Sequence, residues 1–141
     1  MALVATHLID TSAAARMANS AIADALTPLI EAGLVATCAP LDFEALYSSR
    51  SPVDYEETRL NRQLAYEYLP TDDVDWRRAF EVQRELARRS QLRAVGMPDL
   101  LIAAVAERQG VTLVHYDSDF DTIAAITGQP MVWAADRGSL S

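Results

Sequence analysis

The stretch MPDLLIAAVAERQGVTLVHYDSDFDTIA, residues 97–124, decides the fold. Pro98 suits the first turn of a helix, which continues through an apolar segment until Gly110 ends it. Residues 111–115 (VTLVH) then predict a buried strand, and residues 119–127 predict another helix. A strand between two helices, one of them very apolar, indicates that the helices pack against a sheet.

The same alternation continues over the rest of the chain. Apolar runs predict further strands at residues 3–9, 34–38 and 131–133. The helices predicted between them are 13–18 capped by Ser12, 20–32 stopped by Gly33, 41–49, 54–68 broken by Pro70, and 76–91 capped by Asp75. This order predicts an α/β fold with a mainly parallel central sheet. No repeat or linker interrupts it, so a single domain over residues 1–141 is expected.

Acidic residues stand where the predicted strands end. Asp10 follows the first strand directly, Asp117 and Asp119 follow the third, Asp99 begins the apolar helix, and Glu44 lies in the helix after the second strand. Ligands of open α/β sheets bind at the carboxyl ends of the strands, so these acids are predicted to converge on one edge. Oxygen-only ligands select hard ions such as Mg²⁺ or Mn²⁺. The sequence therefore predicts a divalent-metal site that cuts a phosphodiester, with Asp10, Asp99 and Asp117 as its firm metal ligands.

Each of these acids also has a simpler explanation. Asp10 could cap a helix, Asp99 could favour the positive end of its helix dipole, and Glu44 could be exposed to solvent. Asp117 and Asp119 could be turn formers. These explanations treat each acid separately and leave unexplained why all of them mark the same edge of the sheet.

Other kinds of site are disfavoured by the residues present. The run that begins at Asp117 resembles the start of a calcium loop, but Thr122 and Gly128 stand where such a loop needs Gly and Glu. Neither histidine has a partner at metal-ligand spacing, and His115 is interpreted as a packed strand residue more readily than as a catalyst.

The charge balance is unfavourable for a protein that approaches nucleic acid. The formal net charge is −8, with 20 acids against 12 bases, and all of the bases are arginine. Arginine is the better bidentate partner for phosphate, and metal-bound carboxylates are neutralised by their ion. The lone Cys38, the lack of a long apolar run and the lack of a signal peptide lead us to expect a cytoplasmic chain without a membrane span.

Four motifs resemble those of the PIN-domain ribonucleases, and most closely the VapC toxins of bacterial toxin–antitoxin pairs. They are IDTSA at 9–13, LDFEAL at 41–46, MPDLLIAAVA at 97–106 and VHYDSDFDTIA at 114–124. The resemblance implies a PIN-like three-layer α/β/α domain. It places the family's acids at Asp10, Glu44, Asp99 and Asp117, with Asp119 as a neighbouring acid used instead or as well, and substrate-positioning residues at Ser12 and Arg16.

The resemblance also implies an activity and partners. It implies Mg²⁺- or Mn²⁺-dependent endonucleolytic cleavage of RNA, inhibition by a cognate VapB-type antitoxin, and a homodimer. One rival hypothesis is a housekeeping PIN nuclease that acts in RNA processing. Another is a Mg²⁺-binding signalling domain, which the absence of lysine disfavours because no lysine can contact a phosphoryl group.

Overall fold

The computed structural model describes residues 3–140, so the two ends of the predicted 1–141 domain lie outside the described residues. The strands are β1 His7–Ile9, β2 Val35–Cys38, β3 Glu67–Leu69, β4 Thr112–His115 and β5 Met131–Trp133. The helices are α1 Thr11–Ala14, α2 Ser20–Glu31, α3 Ala39–Tyr47, α4 Pro52–Ala65, α5 Asp73–Arg88, α6 Met97–Gln109 and α7 Asp119–Thr127. Within this range, no helix has the length and apolar character needed to cross a membrane.

The five strands form one sheet in the order β3-β2-β1-β4-β5, and every neighbouring pair is parallel. Strand β1 lies at the centre, with Leu8 level with Ala36 of β2 and Leu113 of β4. Because all strands run the same way, their carboxyl ends meet at one edge. Strand β1, which ends at Asp10, is thereby flanked by β2, which precedes the helix with Glu44, and by β4, which precedes Asp117 and Asp119.

The two faces of the sheet are covered by different helices. Leu8 and Leu113 face a core that includes Leu86 of α5, Ile102 of α6 and Phe120 of α7. Successive side chains of a strand alternate between faces, so the next residues face the opposite way. The second core holds Ile9, Val35 and Val114 from the sheet together with Ala13, Ile22 and Leu26 from α1 and α2. The predicted three-layer α/β/α arrangement is confirmed.

Helix α6 is buried over an unusually long run. Residues 100–106 are all buried, although α6 is a single helix of a small domain. A helix that is hydrophobic all round must be enclosed by the protein, and α6 packs against α5, α7 and β4. This enclosure fixes the position of its first turn, which carries Asp99.

Strand β3 was missed by the sequence prediction. Helix α4 ends at Ala65 rather than continuing to residue 68, and Tyr66 is already extended, with φ −124° and ψ 145°. Glu67, which a helical pattern places on an exposed face, accepts hydrogen bonds from the backbone N–H groups of Val4 and Ala5 at 3.1 and 2.8 Å. The edge strand is therefore stabilised by pairing with β2 and by contacts with the start of the chain, neither of which is visible in local sequence.

Two predicted helix caps were also wrong. Helix α5 is capped by Asp72, while Asp75 closes the capping box by accepting the N–H of Asp72 at 2.9 Å. Asp75 is buried and also accepts from Arg108 at 2.7 Å. Helix α1 is capped by Asp10, whose carboxylate accepts from the N–H of Ser12, so Ser12 is not the cap.

The end of α5 provides a test of backbone strain. Ser90 has a φ of 58°, in the left-handed region, where the N–H groups of Ser90 and Gln91 bond to the carbonyls of Ala87 and Leu86. We expect Ser90→Gly to raise the free energy of unfolding by about 0.5–1 kcal/mol, because glycine adopts this φ without the steric cost that serine bears. Urea denaturation measures the change.

Gly110 provides the matched control. It ends α6 at φ 70°, and a Cβ added there would meet nothing within 4 Å. Gly110→Ala should therefore lower the free energy of unfolding by about 1 kcal/mol through backbone conformation alone. A loss of stability on Ser90→Gly would contradict the strain assigned to Ser90.

Candidate metal centre

Asp10 lies at the carboxyl end of β1, where the chain turns into α1. Its backbone N–H bonds to the carbonyl of Val114 in β4, at 2.9 Å, and its side chain is only 4% exposed. One carboxylate oxygen accepts the N–H of Ser12 at 2.9 Å. The simpler explanation for Asp10, a helix cap, therefore holds, and it leaves the second oxygen without a hydrogen-bond partner among the described residues.

Asp99 occupies the first turn of α6, with Pro98 beside it and Gly96 as the cap. Burial of the carboxyl group is the largest cause that raises the pKa of Asp99 to about 7. The negative charges that add to it are, from the largest contribution to the smallest, those of Asp10, Asp117, Asp119 and Glu44. The four other predicted acids are thus all close enough to Asp99 to act on its ionisation.

Asp117 and Asp119 follow β4 at the start of α7. The N–H of Asp119 donates to the carboxylate of Asp117 at 2.9 Å, so the two residues share one tight turn. Burial, and then the charge of Asp117, raise the pKa of Asp119. The turn-forming role considered for these residues is real, and it directs both side chains to the same edge.

Three carboxylates meet closely enough to hold one ion. One oxygen each of Asp99, Asp117 and Asp119 lies within 4.8 Å of the others. Asp10, predicted as a firm ligand, is not part of this group, and Asp119, predicted as an uncertain neighbour, is part of it. The charges of the neighbouring acids add to the effect of burial on the pKa of Asp99, as like charges do when no cation lies between them. The arrangement therefore fits a hard divalent cation, and the chain has an acidic cluster that could bind a metal.

Glu44 approaches the same edge from α3. It is half-buried and lines an apolar cleft of about 320 Å³ together with Phe43 and Met97. Its contribution to the raised pKa of Asp99 is the smallest of the four acids. The structure thus places Glu44 with Asp10, Asp99, Asp117 and Asp119 at the carboxyl edge of the sheet, which we call the rim, but outside the group of three.

Ser12 and His115 hold the segment that carries Asp117. The hydroxyl oxygen of Ser12 accepts the N–H of Tyr116 at 2.9 Å, which joins α1 to the end of β4. The N–H of Asp117 donates to Nδ1 of His115 at 3.2 Å. His115 is fully buried, and burial lowers its pKa. His115 is therefore a neutral packing residue that fixes the backbone next to the acids, as the sequence indicated.

Arg16 lies beside the rim and contacts an aromatic residue that the sequence prediction missed. Its guanidinium donates to the carbonyl of Ser12 at 2.6 Å and stacks over the ring of Tyr116 at 4.7 Å. Tyr116 in turn contacts Trp133 of β5, with ring centroids 5.2 Å apart. The position of Tyr116, directly before Asp117, was the only sequence signal for it.

Comparison with known proteins agrees with the motifs that define the rim. The sequence model of the PIN domain family matches residues 7–126. The ribonuclease VapC21 of Mycobacterium tuberculosis is 44% identical to the chain over 133 residues, which cover 94% of this chain and 96% of that protein. The ribonuclease VapC51 of the same organism is 41% identical over 134 residues, which cover 95% and 96%.

Solved structures share the fold. The DNA-bound VapBC complex from Salmonella typhimurium superposes with a TM-score of 0.72 at 17% identity, covering 93% of this chain and 99% of that chain. A VapBC2 complex from Rickettsia felis bound to a promoter DNA fragment gives 0.71 at 18% identity, with coverage of 90% and 97%. With the sequence relatives and the family match over most of its length, the chain belongs to the PIN-domain family, within its VapC group.

Proposed function

We propose that this chain is the toxin of a toxin–antitoxin pair, an endoribonuclease that requires Mg²⁺ or Mn²⁺. The observation that carries the proposal is the group formed by Asp99, Asp117 and Asp119, whose oxygens lie within 4.8 Å of one another at the carboxyl edge of the sheet. Relatives at 41–44% identity are named ribonucleases, which supports the assignment of RNA as the substrate.

The residues of the rim would have different roles in metal binding and RNA cleavage. Asp99, Asp117 and Asp119 would hold the ion, and Asp10 would add negative charge from the end of β1 while it caps α1. A bound Mg²⁺ or Mn²⁺ supplies polarisation of the scissile phosphate and a more acidic water. Glu44, outside the group of three, is the carboxylate we assign to orienting that water. Ser12 positions the backbone before Asp117, and Arg16 supplies positive charge beside the rim.

The partner we propose is a VapB-type antitoxin. The solved neighbours include VapBC complexes, some of them bound to DNA. A net charge of −8 suits a partner that is itself basic enough to bind DNA, because complementary charge favours association. Burial raises the pKa of Cys38 to about 12, so this free thiol stays protonated and is compatible with the reducing cytoplasm that we propose as the location.

We further propose that the chain forms a homodimer through an apolar patch on α3, α5 and α6. The patch consists of Phe43, Trp76, Phe80 and Met97, which are 77, 38, 66 and 61% exposed. These residues line two adjacent clefts that share Trp76 and Met97. A contiguous exposed apolar surface is typical of an interaction site, and a two-fold dimer would cover the same patch on both copies.

The central prediction concerns Asp99. Asp99→Asn should lower the rate of Mg²⁺-dependent cleavage of single-stranded or hairpin RNA by at least about 100-fold, because one ligand charge is lost from the group of three. The rate is measured on purified protein with labelled RNA. The same substitution should relieve the growth arrest that expression of the unmodified chain causes.

Asp24→Asn is the matched control, since Asp24 is exposed on α2 and is absent from the acidic cluster. It makes the same change in charge and should leave cleavage unaltered. RNA cleavage retained by Asp99→Asn would overturn the site assignment. Harmless expression of an RNA-cleaving chain, with no antitoxin gene adjacent, would favour the housekeeping nuclease.

The raised pKa of Asp99 predicts a dependence of stability on pH in the metal-free protein. The folded state binds the proton more tightly than the unfolded state, so stability falls as the pH rises from about 4 through about 7. In the presence of EDTA, Asp99→Asn should raise the free energy of unfolding above pH 7 by on the order of 1 kcal/mol, and by much less near pH 4. Urea denaturation at several pH values measures this. A variant that is less stable than the unmodified protein above pH 7 would contradict the repulsion inferred here.

The dimer proposal predicts a change of mass in solution. Phe80→Glu places a charge within the apolar patch and should convert the dimer to a monomer, as measured by sedimentation equilibrium. Leu64→Glu is the control, because Leu64 is 78% exposed but lies on α4, outside the patch. A Phe80→Glu variant that stays dimeric but no longer binds the antitoxin would assign the patch to the antitoxin instead.

A further inference from the structure

Arg16 is a cation held in place without a neutralising partner. No carboxylate in residues 3–140 lies within 4.0 Å of its guanidinium, whereas eight other arginines have such a partner. Its side chain is half-buried, donates to the carbonyl of Ser12 and rests on the ring of Tyr116. Most of its N–H donors stay free for another group.

Tyr116 is itself held from three directions. Its N–H bonds to Ser12, its hydroxyl accepts the N–H of Leu140 at 2.7 Å, and its ring meets the edge of Trp133. Trp133 is fixed by its own Nε1–H, which donates to Asp121 at 3.0 Å. The Tyr116–Trp133 pair is therefore a rigid aromatic support next to Asp117.

A second arginine rests on the other end of this support. The guanidinium of Arg137 lies over the ring of Trp133 at 5.5 Å and contacts Asp121 at 3.2 Å. Arg137 is 65% exposed, so this surface ion pair is weak and leaves donors available to solvent. Arg137 belongs to the segment after β5, beyond the residues that match the PIN domain family. That segment returns to the body of the protein, since Ala134, Ala135 and Leu140 pack on the core beneath α1 and α2.

We propose that Arg16 and Arg137, each supported by one ring of the Tyr116–Trp133 pair, form a phosphate-binding strip for single-stranded RNA beside the acidic centre. Tyr116 and Trp133 are positioning residues, because they act through the two guanidinium groups. The inference rests on the proposed ribonuclease function and adds the surface that holds the RNA backbone on one side of the cut.

The charge distribution supports phosphate as the ligand. The rim carries five acids, so an RNA backbone that approaches it is repelled unless cations stand alongside the metal. Arginine presents a planar set of donors that matches phosphate, and a ring beneath it fixes the plane of the guanidinium. Two such groups, joined through contacting rings next to Asp117, suit phosphates of one strand.

The test measures binding under conditions where cleavage is blocked. The full chain with Asp99→Asn is titrated with a fluorescently labelled, unstructured RNA at several salt concentrations, and the slope of log affinity against log salt is determined. Loss of one phosphate contact should reduce the magnitude of that slope by roughly 0.7 for a single strand. Arg16→Ala and Arg137→Ala should each do so and should weaken binding by on the order of tenfold at low salt.

Arg77→Ala is the matched control for removal of one positive charge. Arg77 is 76% exposed on the first turns of α5. Its guanidinium pairs with Asp73 at 2.8 Å and, unlike the guanidinium groups of Arg16 and Arg137, does not rest on either ring of the Tyr116–Trp133 pair. Arg77→Ala should leave the slope unchanged. An equal reduction by Arg77→Ala would mean that net charge, and not the strip, governs binding, and would overturn the proposal.

The role of Tyr116 is tested by a double-mutant comparison. Tyr116→Leu removes the ring and should reduce the slope, whereas Tyr116→Phe keeps the ring and should preserve it. In the Arg16→Ala background Tyr116→Leu should have no further effect on the slope, because Tyr116 acts through Arg16. An undiminished slope in folded Arg16→Ala or Tyr116→Leu protein, with folding verified by circular dichroism, would overturn the proposal.

These outcomes are separate from those that test the ribonuclease itself. If the unmodified chain cuts RNA and Arg16→Ala leaves the salt slope unchanged, the function stands and the strip is wrong. If the unmodified chain cuts no RNA but RNA binding depends on Arg16 and Arg137, the strip stands and the catalytic proposal is wrong.

Discussion

The repulsion among the carboxylates of Asp99, Asp117 and Asp119 is the constraint on which the rest of the rim depends. Two unit charges about 4 Å apart near a protein surface interact with about 4 kcal/mol, and a whole domain is stable by only about 5–15 kcal/mol. In the metal-free protein, burial of the carboxyl group and then the charges of the neighbouring acids raise the pKa of Asp99 to about 7, so this group keeps its proton to a higher pH than usual. A divalent cation removes the repulsion between these charges without a proton. The same arrangement of carboxylates therefore lowers the stability of the metal-free protein and favours binding of the cation.

Such repulsion persists only if the backbone around it cannot relax. Asp99 is fixed because α6 is enclosed by neighbouring elements. Asp117 is fixed because its N–H donates to His115 of β4 and its carboxylate accepts the N–H of Asp119 of α7. Ser12 binds the N–H of Tyr116, so α1 and the end of β4 cannot separate. Ser12 and His115 thus contribute by preventing the acids from moving apart.

The sequence was most informative where local pattern and tertiary packing agree. The apolar run after Asp99 and the strand before Asp117 predicted both their elements and the edge where the acids meet, because a parallel sheet leaves little choice. It was least informative where a distant partner decides the outcome. Strand β3 depends on pairing with β2, and the cap of α5 is Asp72 because the buried Asp75 also binds Arg108, 33 residues away. No spacing rule reveals side-chain direction either, so the sequence could not show which three of the acids approach one another most closely.

The net charge of −8 is a poor guide to what this rim can bind. Among the described residues, eight of the twelve arginines lie within 4.0 Å of a carboxylate, so most of the positive charge is already balanced by nearby acids. The negative excess at the rim is concentrated on the acids that a divalent ion would neutralise. Arg16 is held beside them by a ring and a carbonyl, neither of which cancels its charge. A polyanion approaching the metal-bound rim would therefore meet a local field set by the ion and by Arg16, which is why an acidic chain can still act on RNA.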